Sequence, residues 1–292
     1  MTNHSIFIDI GSSTLKTYAL HADGALELTD EKSILFKDGF SADAGVAGEK
    51  VDALLAHLGQ WAGQNVRTFA TGIWREIPAA QAEFLAEHCP VGFKIISHDD
   101  EARYLKQAAD LPYAGKKVLV INMGGKTTEI VSVLRDGTTK TQLLKIGVAD
   151  LLNQFPSVND AISSASIEDM EKFVSEKLAN ESFDTDYDFA LFTGELRFEK
   201  LSGYPLEPNA QFTDANHPSQ VSIDGFIAGT QRIFFDMTMD ELRGLMPKNP
   251  NWMSGARPGA VLPLAVFNRA GIRVIVPSDL NLINGAVRDF ID

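Results

Sequence analysis

Two stretches of this 292-residue chain place small turn residues and hydroxyls directly after an apolar run: DIGSST from Asp9 to Thr14, and NMGGKT from Asn122 to Thr127. A strand that ends in Gly-Ser or Gly-Gly presents backbone N–H groups and short polar side chains, and the missing side chains let a ligand come close. Phosphate oxygens are the natural occupants of such a nest. One copy alone reads better as a plain β-hairpin. Two matched copies favour paired phosphate-holding turns, with Gly11, Ser12, Ser13 and Thr14 aligned on Gly124, Gly125, Lys126 and Thr127. The copies differ where charge matters, because Asp9 is matched by Asn122 and Lys126 adds a cation.

The elements that must position these turns follow from periodicity. SIFIDIG reads as a buried strand entering the first turn, and the residues to Phe36 continue as meandering strands with a turn at Asp23-Gly24. EKVDALLAHLGQWAG sets Val51, Leu54, Leu55, Leu58 and Trp61 along one helical face. VRTFATG is strand-like, and Pro78 suits the first turn of a helix through Cys89, where its missing N–H costs nothing. FKIIS leads into a helix whose first turn carries Asp99, Asp100 and Glu101, a placement the helix dipole favours. Pro112 to Gly115 is the best internal boundary, giving units 1–113 and 114–292, and the second begins like the first. Ser166 with Asp169 and Thr238 with Glu241 predict capping boxes that open two later helices. Gly203 to Gln220 is polar and rich in turn formers, so it reads as a long surface loop, serving as a lid, an interface or neither. IRVIVPSDLNLINGAVRDF reads as a strand, a polar turn and a helix.

Composition narrows the chemistry. The formal net charge of -13 argues against nucleic acid as a general partner, although a local pocket on an acidic protein can still bind phosphate. The six histidines are scattered without metal-ligand spacing, which argues against zinc. Cys89, the single cysteine, excludes an internal disulfide and reads as a small core residue. No apolar run approaches the roughly 18 residues that span a bilayer. MTNHSIFIDIG lacks the basic flank and longer apolar core of a signal peptide, so the expectation is a cytoplasmic protein with no membrane partner. A homodimer stays open.

The order FIDIGSSTLK, ATGIWRE, ISHDDEARYL and VINMGGKTTEIV resembles the exopolyphosphatase and guanosine pentaphosphate phosphatase family, a branch of the actin-like, Hsp70-like and sugar-kinase superfold. Its corresponding stretches look like DIGSNS, AT-x-A-x-RE, ISG-x-EEARL and DIGGGSTEL. LLKIGVADLLNQF and PSDLNLINGAVRD resemble later family segments. The resemblance implies an α/β fold of two ribonuclease-H-like lobes with a cleft between them, and phosphoanhydride hydrolysis on polyphosphate or a phosphorylated nucleotide.

By the same resemblance Gly11, Ser12 and Ser13 form the first phosphate loop, and Gly124, Gly125, Lys126, Thr127 and Thr128 the second. Asp9 belongs to the first loop and is the candidate magnesium ligand. Glu101 matches the proposed base, Glu129 a partner that places water or metal, and Arg75 an arginine able to clamp phosphate oxygens with its planar fork. From residues alone, plainer roles stay open: Arg75 paired with Glu76 at the surface, Glu101 as a helix-start charge, Glu129 as an exposed strand residue, and Lys126 pointing to solvent. The chain departs from the family at Ser13 for asparagine, His98 for glycine, Asp100 for glutamate, Asn122 for aspartate and Lys126 for glycine. The last two add two positive charges beside the phosphates, the charge of one magnesium ion. Magnesium dependence is therefore expected to be weakened. The alternative function is a catalytically impaired sensor that binds a nucleotide or polyphosphate.

Overall fold

Strand β1 (Ser5–Ile10) shows how the period of two builds the first unit. Ile6, Ile8 and Ile10 enter one core with Leu15 and with Val51, Leu54 and Leu58 of helix α1 (Gly48–Gly59), whereas Phe7 enters another with Phe69, Tyr104 and Ile283. Asp9 therefore shares Phe7's side of the sheet. The computed structural model describes residues 5–290 except 114, 164, 194–197, 199–200, 202 and 248. Residues 1–4 of the opening stretch and Ala114 of the expected boundary lie outside that set.

In the first unit β1 pairs antiparallel with β2 (Thr14–Leu20), β2 with β3 (Leu26–Ser33), and β4 (Val66–Ala70) runs parallel on the other side of β1. The sheet order is β3-β2-β1-β4. A 3-10 turn (Gly72–Glu76), α2 (Ala79–His88) and α3 (His98–Ala108) follow. The chain divides after Ala108, and the stretch from Leu282 onward rejoins the first unit. This differs from the expected division at 113/114. The reason is apolar: Leu282, Ile283, Ala286 and Val287 of α9 (Leu282–Ala286) and the turn after it complete the core around Phe7, Phe69 and Tyr104.

The second unit repeats the pattern. Strands β5 (Val118–Met123), β6 (Thr128–Val133) and β7 (Thr139–Leu144) are antiparallel neighbours, and β8 (Phe189–Thr193) lies parallel to β5. Beyond β8 come β11 (Val274–Ser278), β10 (Ser219–Ser222) and β9 (Glu207–Pro208), giving the order β7-β6-β5-β8-β11-β10-β9. Its helices include α4 (Val148–Gln154), α5 (Ile167–Lys177), α6 (Ile223–Phe235), α7 (Met239–Gly244) and α8 (Pro258–Ala270). Ser166 accepts the Asp169 amide at the start of α5, and Thr238 with Glu241 forms the reciprocal box opening α7. Helix α8 is buried nearly all round, as its almost uninterrupted apolar sequence requires.

Just before α8, Arg257 is wholly buried, and among the described residues no carboxylate oxygen is hydrogen-bonded to its guanidinium. It donates instead to the carbonyls of Ile233, Val158, Asp160, Ala161 and Met237 at 2.6 to 3.3 Å. Carbonyls at helix ends have no partner within their own helix, and one side chain supplies several of them here.

Candidate active site

In the first unit the turn after β1 closes with the Gly11 amide donating to the Thr14 carbonyl at 2.9 Å. Every carbonyl of Gly11–Ser13 then meets a donor of the same unit. Trp74 Nε1 reaches Gly11 O at 3.2 Å, the Lys37 amide reaches Ser12 O at 2.9 Å, and the Ile34 and Leu35 amides reach Ser13 O. Ser12 Oγ accepts the Ile73 amide at 3.2 Å, which leaves its hydroxyl proton to donate. Gly72 makes this contact possible: its φ is +63°, and a Cβ there would collide with Ser12 Oγ. Carbonyls held inward leave the amide face of the turn for an anion.

The same unit brings the half-buried Arg75 and the buried Glu101 together as an ion pair. Arg75 thus pairs with the carboxylate matched to the family's base. Its Nε donates to Ile96 O at 2.7 Å, and its Nη1 lies 3.0 Å from His98 Nδ1. The fork is fixed from three directions, so Glu101 is held in one geometry. Asp9, opposite Lys16 in the β1–β2 ladder, has its carboxyl pushed up to about 7. Burial is the main cause; Lys16 opposes it and Glu101 adds to it. Asp9 Oδ1 is buried with no hydrogen-bond partner among the described residues, an acceptor suited to a hydrated cation.

In the second unit the corresponding turn closes identically, Gly124 N–H to Thr127 O at 2.8 Å. Its carbonyls are tied back by a helix start: the amides of Val148 and Ala149 donate to Gly124 O at 3.1 Å and Gly125 O at 2.8 Å. These are first-turn amides of α4 that lack intrahelical acceptors. The Gly147 amide is capped by Asp150 Oδ2 at 2.9 Å. A Cβ on Gly147 would lie 2.5 Å from Gly125 O and Lys126 N, so α4 and the turn touch backbone to backbone. Gly147 is extended, with φ -144°; close approach alone requires glycine there.

Around that turn the side chains divide. Lys126 is exposed. Thr128 is fully buried and donates to Ile146 O at 2.8 Å, which anchors the start of β6. Glu129 is buried, not an exposed strand residue, and lies across the ladder from Asn122. Asn122 donates from Nδ2 to Glu129 Oε2 at 3.1 Å and accepts from Thr193 Oγ1 at 3.0 Å. The amide at 122 thus supplies a donor that aspartate lacks, so its presence is explained by the buried carboxylate opposite. Gly147, Trp74 and Gly72 escaped the sequence reading of the turns; the only signal for the first was its place in LLKIGVADLLNQF.

Each unit therefore contains the ribonuclease-H-like strand pattern with a tied-back glycine turn after its first strand. Family comparison agrees with this class: the profile of the Ppx/GppA phosphatase family matches residues 53–200, and the chain belongs to that family. An Aquifex aeolicus Ppx/GppA family member superposes with a TM-score of 0.73 at 17% identity, covering 99% of this chain and 97% of that one. An exopolyphosphatase from Cytophaga hutchinsonii gives 0.75 at 16% identity, covering 99% and 98%. At such identities these likenesses establish the fold. No curated protein matches the chain significantly. Among the described residues no helix is long and apolar enough to cross a membrane.

Proposed function

We propose that this chain is a cytoplasmic phosphohydrolase that cleaves the terminal phosphoanhydride bond of inorganic polyphosphate or guanosine pentaphosphate. The observation that carries the reading is the shared construction of the two turns, each closed by one amide–carbonyl bond and each with carbonyls tied inward. That leaves Gly11, Ser12 and Ser13 in one unit, and Gly124, Gly125, Lys126 and Thr127 in the other, to donate to phosphate oxygens.

Phosphoryl transfer asks mainly for positioning and charge neutralisation. Water attacks the terminal phosphorus, the bond to the bridging oxygen breaks, and the water's proton passes to Glu101, which Arg75 holds in place. The chain that leaves is one phosphate shorter. Magnesium, when bound, neutralises charge on the phosphates, and Asp9 is the residue fitted to hold it through its buried Oδ1. Glu129 and Lys126 complete the polar set in the second unit.

A second reading, a sensor that binds the same ligands without turnover, is favoured by the bond between Asn122 and Glu129, which occupies a carboxylate oxygen with an amide. Phosphate release from long-chain polyphosphate, guanosine pentaphosphate and ATP, each with and without magnesium, separates the two. Hydrolysis of either of the first two supports the enzyme. Tight calorimetric binding with no release from any of them assigns the sensor.

A further inference from the structure

The stretch from Gly203 to Gln220, expected to be a long surface loop, is mostly exposed or half-buried, yet it contributes Asp214 and the buried His217 to a polar relay with Ser278. Asp214 Oδ2 lies 2.5 Å from His217 Nδ1, and His217 Nε2 lies 2.8 Å from Ser278 Oγ. Ser278 Oγ also accepts the Leu280 amide at 3.2 Å. With the imidazole proton on Nδ1 the relay runs in one direction: His217 donates to Asp214, Ser278 donates to His217, and Leu280 donates to Ser278. The order of groups is that of a nucleophilic serine triad, but Ser278 has no exposed surface and His217 almost none. A substrate cannot reach this serine, so the relay holds something rather than attacks something.

What it holds is set by where the chain passes between units. Those passages fall at 108/109 and 281/282. Ser278 and Leu280 are the last part of the second unit before the outgoing passage. Tyr113 stands just after the incoming one, and it packs edge-on against Phe212 of the same loop at 5.1 Å. Phe212 also stacks on Phe189 of β8 at 5.4 Å and sits 5.5 Å from the His217 ring. Burial, with Asp214 and Asp110 adding to it, pushes the Tyr113 hydroxyl well up. The loop itself is built to stay put: Asn209 bonds Pro218 O and His217 O, Gln220 receives the Ala210 amide and Gln211 Nε2, and Lys116 donates to Gln211.

We propose that residues Phe212 to His217 form one anchor for both passages, fixing the incoming chain through Phe212 and Tyr113 and the outgoing chain through His217 and Ser278. Loosening either half then loosens both, although the passages are far apart in sequence. This anchor is independent of the ligand and of whether the protein hydrolyses or senses it.

Hydrogen exchange followed by mass spectrometry on the full chain tests it, using Phe212→Ala and His217→Gln. Each variant touches one passage directly, so the decisive readout is the other. Phe212→Ala raises exchange at 278–281 by about tenfold, and His217→Gln does the same for 109–113, while β5 and α5 keep their protection. Faster exchange only at the passage each variant touches, or at neither, overturns the anchor, as does a uniform loss across the second unit. Asp214→Asn keeps size and polarity, and serves if His217→Gln does not fold. It loosens both passages if the anchor exists and neither if it does not.

Discussion

Replacing Gly147 with alanine tests whether the second glycine turn binds ligand through the position its backbone holds. The added methyl sits 2.5 Å from Gly125 O and Lys126 N, where ordinary contact begins near 3.4 Å. Both obstacles are backbone atoms, so no side chain can rotate away and the turn must shift by about 1 Å relative to α4. Crowding of this kind costs about 1–3 kcal/mol of stability. A displacement of that size at a positioning element costs on the order of 100-fold in rate. The assay pairs thermal unfolding with phosphate release and calorimetric titration of tripolyphosphate. Gly124→Ala is the control, because its nearest obstacle is Thr127 O at 3.2 Å and its backbone is not left-handed. The expected order is a severe loss for Gly147→Ala and a mild one for Gly124→Ala. A folded Gly147→Ala protein that loses stability yet binds and turns over normally would show that the turn is not part of the site. Unchanged stability would instead refute the close contact.

Glu101→Gln abolishes phosphate release while retaining ligand affinity, since it removes the proton acceptor and keeps the shape; undiminished release assigns the base elsewhere. Lys126→Gly weakens phosphate binding by about 1.5–3 kcal/mol, and adding Asn122→Asp makes the site depend on magnesium, because a second carboxylate then faces Glu129 across the ladder. Equal magnesium dependence in wild type and double variant removes the lysine-for-metal idea. Asp9 has a raised folded-state pKa, so the native state binds the extra proton and stability falls as pH climbs from about 4 to about 7. Asp9→Asn therefore gains stability over wild type across that window and levels off above it, which urea melts at stepped pH measure; a gain confined to acid pH contradicts the sign. Arg257→Met strands several buried carbonyls and lowers stability by at least about 3 kcal/mol in the same melts.

Local pattern made much of this architecture legible. Alternation in SIFIDI, the helical face of Val51, Leu54 and Leu58, and the Thr238–Glu241 cap are short-range signals, and the elements stand where those signals put them. The matching of DIGSST with NMGGKT exposed the duplication, because residues that close a turn must be close in sequence. Relations between distant segments left no such trace. Nothing local in LNLINGAV says that it packs on Tyr104 rather than on the strand just before it. His217 reads as one more polar loop residue until Ser278, sixty-one positions later, appears beside it. Arg257 has the same history, since its acceptors Val158 and Asp160 lie nearly a hundred residues earlier. At the site, Asn122 looked like a lost acid in sequence; the ladder partner Glu129 gives its amide a structural reason.

The return of Leu282–Val287 to the first core has a consequence for how the protein is made. A ribosome releases Phe7, Phe69 and Tyr104 early, yet the side chains that cover them emerge only after the whole second unit, Ala109–Asn281, has been synthesised. At about 5–20 residues per second, that interval is on the order of ten to thirty seconds. During it the nascent first unit carries a bare aromatic patch, and the second unit's core closes only at its end, when Ile272 and Ile275 emerge. Vectorial synthesis thus finishes the later unit first, and the earlier one waits in a sticky state that invites chaperones or a neighbouring nascent chain on the same message.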